Sequence, residues 1–102
     1  MEWVCFVKRE NARKAEDMLR ADFDLAAKQS ITVKDANILG LKEAGEGSFF
    51  YITGSDEGVK RCQELIKDFV VITTKKDFLD KAKAKIIEEQ ESAAAGFGGI
   101  FG

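Results

Sequence analysis

Apolar residues recur along the chain at spacings that alternate between strand and helix. Trp3-Val4-Cys5-Phe6-Val7 is a continuous apolar run of β-forming residues and predicts a first strand. From Glu10 to about Arg20 the period lengthens. Ala12, Ala15, Met18 and Leu19 share one helical face, while Arg13, Lys14, Glu16, Asp17 and Arg20 face outward. Asn37 to Lys42 predicts a second strand. Residues 31–36 are a lead-in of open shape, because Ile31-Thr32-Val33 is β-branched whereas Thr32 and Asp35 have helix-cap spacing. Ala44-Gly45-Glu46-Gly47 reads as a hairpin turn into a third strand, Ser48 to Thr53. Ser55 caps a second helix to about Asp68, with Asp56 and Glu57 in its first turn and Val59, Cys62, Leu65, Ile66 and Phe69 as its stripe. Val70 to Thr73 predicts a fourth strand. Thr74 and Asp77 form a capping box for a third helix through about Ala94, with Phe78, Leu79, Ala82, Ile86 and Ile87 apolar. The reading is one α+β domain over residues 1–95, then a flexible glycine-rich tail over 96–102.

This β-α-β-β-α-β order, followed by one more helix, resembles the ferredoxin-like plait across roughly residues 3–74. The resemblance implies a four-stranded antiparallel sheet with the first two helices on one face. It implies no activity, since that superfold carries enzymes, metal chaperones, ligand sensors and RNA binders.

A two-layer plait leaves its second face bare, and a bare face calls for alternating apolar and polar residues. These strands do not alternate. If Phe50 and Ile52 face the helices, Phe49 and Tyr51 face away, and the first strand is apolar on both parities. A large apolar patch is rare on a monomer, so something covers it. The spare element is the third helix, from its own chain or from a second copy. Its lysines (Lys81, Lys83, Lys85) precede its glutamates (Glu88, Glu89, Glu91), an order that opposes the helix dipole. That order suits antiparallel pairing with a second copy, and a homodimer is the slightly favoured expectation. The residues expected to bind a partner are Phe49, Tyr51, Phe78, Leu79, Ile86, Phe97 and Phe101.

Composition narrows the chemistry. The 102 residues include no histidine and no proline, two cysteines, 16 Lys+Arg and 18 Asp+Glu, for a net charge of -2. Without histidine there is no Ser-His or Cys-His pair and no imidazole ligand for zinc. Hydrophobic residues at 45% and charged residues at 33% fit a globular domain. The N-terminal apolar run is too short for a signal peptide, and no stretch approaches a membrane span. A cytoplasmic protein with reduced Cys5 and Cys62 is expected.

Each candidate site has a plainer reading that outweighs it. Gly54-Ser55-Asp56-Glu57-Gly58, between a strand and a helix, has the placement of an anion site, but two carboxylates there repel a phosphate. Asp22 and Asp24, with Asp35 downstream, lack the converging spacing of a cation loop. Cys5 and Cys62 come together in a plait, yet no Cys-x-x-Cys and no adjacent base marks them as reactive. Trp3 or Phe6 with Phe49 or Tyr51 occupy the places of RNA-stacking aromatics, but the surrounding charge is acidic. The expectation is a small non-catalytic binding or assembly module acting through protein contacts, with no cofactor and no metal. The alternatives are a small-molecule sensing domain and, as a minor reading, an RNA-binding module.

Overall fold

Along the chain run strand β1 (Glu2–Lys8), helix α1 (Arg9–Ala21), strands β2 (Ser30–Asp35) and β3 (Gly47–Thr53), helix α2 (Asp56–Ile66) and helix α3 (Lys76–Phe101), as seen in a computed structural model. Residues 1–91 are described in full, and α3 beyond residue 91 by its backbone alone. The expected tail over 96–102, with Phe97 and Phe101, lies outside the fully described residues.

The three strands form one antiparallel sheet in the order β1-β3-β2. Cys5 lies opposite Phe50 and Phe6 opposite Phe49, while Val33 flanks Phe50 and Lys34 flanks Phe49 on the far side of β3. Because side chains alternate across a strand, β3 feeds two cores. Phe50 and Ile52 join Cys5, Val7, Ala15, Leu19, Val59, Cys62 and Ile66 beneath α1 and α2. Phe49 and Tyr51 join Phe6, Leu39, Leu41, Ala82 and Ile86 beneath α3. The molecule is thus α+β in three layers, with α3 of the same chain lying over the face that a two-layer arrangement would leave bare.

Two strand expectations are corrected. The second strand is Ser30–Asp35, not Asn37 to Lys42. The β-branched run Ile31-Thr32-Val33 takes the ladder, and the Asp35 carboxylate then accepts the Asn37 N–H (2.8 Å), turning the chain. Leu39 donates its N–H to the Asp35 carbonyl and Leu41 to that of Ala36. Gly40 sits at φ 71°, in the left-handed region that favours glycine. Leu39 and Leu41 are apolar because this loop folds them into the α3 core, not because they lie in a sheet. The short hairpin expected at Ala44–Gly47 is accordingly a longer connection over residues 36–46.

The expected fourth strand is one isolated bridge, Val7 to Val70, with the Val71 N–H donating to the Phe6 carbonyl (2.9 Å). Beyond Val71 the chain turns away. The Thr74 N–H (3.2 Å) and the Thr74 hydroxyl (2.8 Å) both donate to the Val71 carbonyl. The Thr74 hydroxyl is therefore engaged in a turn rather than capping the third helix, which starts at Lys76.

Two glycines are set by close approach. A Cβ on Gly47 would lie 2.3 Å from the Val7 carbonyl oxygen and 2.7 Å from the Phe6 ring. A Cβ on Gly58 would lie 2.1 Å from the Gln29 side-chain amide. The first lets β3 begin tight against β1, and the second lets α2 begin over Gln29.

Candidate functional site

The reversed charge order of α3 has its counterpart in the sheet below. The Lys83 ammonium bonds the Glu2 carboxylate on β1, and Glu89 pairs with Lys34 on β2 (3.5 Å). Gln90 donates to the Thr32 hydroxyl (3.2 Å). The basic half of α3 lies at β1 and the acidic half at β2, so the helix crosses the sheet obliquely. Exposed pairs of this kind contribute little stability. Burial of Ala82, Ile86, Phe49 and Phe6 dominates, at about 1.5–3 kcal/mol for each large apolar side chain. The charge order along α3 matches the order of its partners on the sheet.

Glu2 is the polar anchor of that contact. One carboxylate oxygen takes Lys83, and the other accepts the Tyr51 hydroxyl at 3.0 Å. The bond from Lys83, then that from Tyr51, holds the Glu2 carboxyl below its usual range. Burial first, then the bond to Glu2, pushes the Tyr51 phenol up, and Glu2 pushes Lys83 up.

The residues singled out as partner-binding fall into three groups. Phe49, Tyr51 and Ile86 are buried within this chain, with Phe49 and Ile86 at 0% exposure. Phe78 and Leu79 are half-buried at the margin of the same core. Phe97 and Phe101 lie outside the described side chains. The aromatics that would stack RNA bases, Phe6, Phe49 and Tyr51, lie beneath α3, and Trp3 packs on the opposite face.

The other candidates resolve into structural roles. At the start of α2 the Ser55 hydroxyl accepts the Gly58 N–H (3.0 Å), and Gln29 Oε1 accepts the Ser55 N–H (3.1 Å). Gln29 fills the concavity that an anion would need. Asp22 accepts the Ala26 N–H (3.0 Å) and pairs with Arg61 (3.3 Å), so it ties the turn at Ala26–Lys28 to α2. Asp35 is engaged at the Asn37 turn. Among the described residues no three acidic or thiol side chains converge on one point. Cys5 and Cys62 are both buried free thiols in the α1/α2 core. Burial, with a smaller repulsion from Cys62, pushes the Cys5 thiol up to about 12, and burial raises Cys62 as well.

Two surface features went unnoticed in the sequence. The first is an open cleft of about 500 Å³ at the start of α1, with Phe6, Ala44 and Val71 as its apolar wall and Lys8, Arg9, Glu10 and Glu46 at its rim. It exists because the chain leaves β1 after Val71. The second is the outer edge of β2. The Ala36 N–H donates to the Gly47 carbonyl (2.9 Å), which fixes the alternation of the ladder. Thr32 and Lys34 therefore bond to β3, while the backbone groups of Ile31 and Val33 point outward. Among the described residues no strand pairs with that edge. The β1 outer edge, by contrast, is partly closed by Val70 and Val71.

No family model matches the chain, and no curated protein and no solved structure matches it either. No helix is long and apolar enough to cross a membrane among the described residues.

Proposed function

We propose that this chain is a small non-catalytic assembly module that acts through protein contacts. The observation that carries this reading is the open β2 edge, where Ile31 and Val33 present backbone groups that are unpaired among the described residues, beside half-buried apolar side chains. Edges of this kind are templates for strand addition, and proteins that do not use them usually cover them. The clustered ionisable groups, Glu2, Tyr51 and Lys83, are bonded to one another and hold α3 in place. The buried thiols carry raised pKa values, the opposite of what a nucleophile needs. The acidic net charge runs against nucleic acid as the partner.

We read the architecture as a ferredoxin-like plait whose fourth strand is reduced to one bridge. Three features support this: the antiparallel order β1-β3-β2, the placing of α1 and α2 on one face, and the position of Val70 beside β1.

A second reading, a small-molecule sensor, is favoured by the cleft over Phe6 and Val71. Native mass spectrometry of the purified chain separates the two. A ligand-free chain in a defined complex supports the assembly module. A co-purified small molecule, displaced by Phe6 or Val71 variants that narrow the cleft, overturns it in favour of the sensor.

A further inference from the structure

We infer that the partner at the β2 edge is an extended peptide segment of another protein, added to the sheet as a further antiparallel strand, with an acidic side chain seated at Arg13. The inference rests on the assembly reading above and adds the partner's chemistry and its register.

The register follows from the backbone. Thr32 and Lys34 bond to β3, so the groups that β2 turns outward are the N–H and C=O of Ile31 and Val33 and the N–H of Asp35. The Asp35 carbonyl is already taken by the Leu39 N–H. In an antiparallel addition the residue opposite Val33 exchanges both of its backbone bonds with Val33, and the residue opposite Ile31 does the same with Ile31. The partner must be slender. α3 meets β2 at Glu89 and Gln90 and continues to Phe101, so a folded body laid against this edge would meet the helix. A single strand lies in the plane of the sheet, clear of it.

The side chain opposite Val33 has a defined setting. Residues directly opposite one another share a face of the sheet. Thr32 and Lys34 meet α3 on one face, whereas Ile31 and Val33 pack towards the α1/α2 core on the other. The central side chain of the added strand therefore turns to the α1 face. There α1 packs chiefly on β1 and β3, and a groove of about 490 Å³ lies between the helix and Val33. Arg9 and Arg13, four residues apart and so on one side of α1, both line this groove. Neither has an ion-pair partner among the described residues. Of the two acidic side chains in the lining, Glu16 is bonded to Arg20 (2.8 Å), which leaves Asp17 against two guanidiniums. The groove thus carries an excess of positive charge beside the middle of the open edge. A carboxylate on the residue opposite Val33 meets Arg13, whose guanidinium offers it paired N–H donors. The ladder binds any extended chain, and the arginines select an acidic one.

Fluorescence anisotropy of the full chain with a labelled peptide tests the inference. The probe is threonine-valine-glutamate-valine-threonine, flanked by glycine and serine and blocked at both ends, its glutamate placed to lie opposite Val33. One twin carries glutamine in place of the glutamate and another carries lysine. A third keeps the glutamate but is methylated at its backbone nitrogen, which removes the N–H that bonds the Val33 carbonyl. Saturable binding of the probe is expected, weakened about tenfold or more in the glutamine and N-methyl twins and in the Arg13→Glu chain. The lysine twin is expected to bind the Arg13→Glu chain more tightly than the wild type. Amide hydrogen exchange at Ile31, Val33 and Asp35 is expected to slow when the probe is bound. The peptide twins leave the protein unaltered, and circular dichroism confirms that Arg13→Glu is folded. No binding at any concentration overturns the inference, and so does a probe indifferent to the change from glutamate to glutamine or lysine; both leave the assembly reading standing. A chain that self-associates in sedimentation velocity until saturating probe disperses it makes a second copy the occupant and overturns the inference as well. The assembly reading fails separately, through a co-purified small molecule.

Discussion

Phe6 and Phe49 meet across the β1–β3 ladder with ring centroids 4.9 Å apart and planes tilted by 51°, beneath Ala82 and Ile86 of α3. Tilted pairs at this distance contribute about 0.5–1.5 kcal/mol beyond the area they bury. Phe49 has no exposed surface, so Phe49→Ala leaves a cavity as well as losing the pair. Chemical denaturation is expected to show a loss of about 3–5 kcal/mol.

Removal of α3 by truncation after Thr74 uncovers Phe6, Phe49 and Tyr51 together. The shortened chain is expected to bind a hydrophobic dye and to aggregate. A soluble, cooperatively folded product would show that the α1/α2 core alone suffices.

Both thiols are expected to resist labelling in the native state and to react only as fast as the protein opens. Cys5 and Cys62 are 2% and 0% exposed, and neither ionises readily. The linkage has a definite sign. A thiol whose folded pKa is raised keeps its contribution below the unfolded thiol value of about 8.5 and loses it as pH climbs above that. Stability is expected to decline on the alkaline side, and Cys5→Ser or Cys5→Ala to flatten that decline. Thermal melts across the alkaline range check it.

The Glu2 carboxyl is held below its usual range by Lys83 and Tyr51. Its contribution is therefore present above the ordinary glutamate range and lost as pH falls through the lowered value. Lys83, raised by Glu2, adds a contribution that is complete below the ordinary lysine range and lost as pH rises through the raised value. Lys83→Met is expected to return Glu2 towards ordinary titration, followed by carboxyl NMR, with a modest loss of stability suited to an exposed pair. Tyr51→Phe is expected to move Glu2 in the same direction by less.

The helices were legible in the sequence because their signals are local. Ala15 and Leu19, and Val59, Cys62 and Ile66, repeat with helical period, and Ser55 caps α2 as its residue type suggests. The two-sided apolar character of Phe49-Phe50-Tyr51-Ile52 gave away a sheet covered on both faces. The position of β2 was not legible, because Leu39 and Leu41 mimic a strand while serving as loop anchors. Choosing between them and Ile31-Thr32-Val33 depends on which run meets β3, and that is a long-range fact. The fourth strand failed for a related reason: Val70 to Thr73 has the composition of a strand, but Thr74 bonds back to Val71 and ends the pairing after one bridge. The β2 edge and the cleft beside Phe6 arise from what the chain leaves unpaired, and no residue pattern announces them.

The order of the elements also bears on how the protein is made. The sheet and the α1/α2 layer are complete once β3 and α2 have been synthesised, whereas the cover for Phe6, Phe49 and Tyr51 comes afterwards, in α3. At ordinary elongation speeds, about 5–20 residues per second, the 26 residues of α3 take about 1–5 s to add. During that interval a nascent chain with a finished sheet holds an uncovered aromatic face beside an open strand edge. On a polysome, where sibling chains stand close together, this is the stage most exposed to mispairing and to capture by a chaperone.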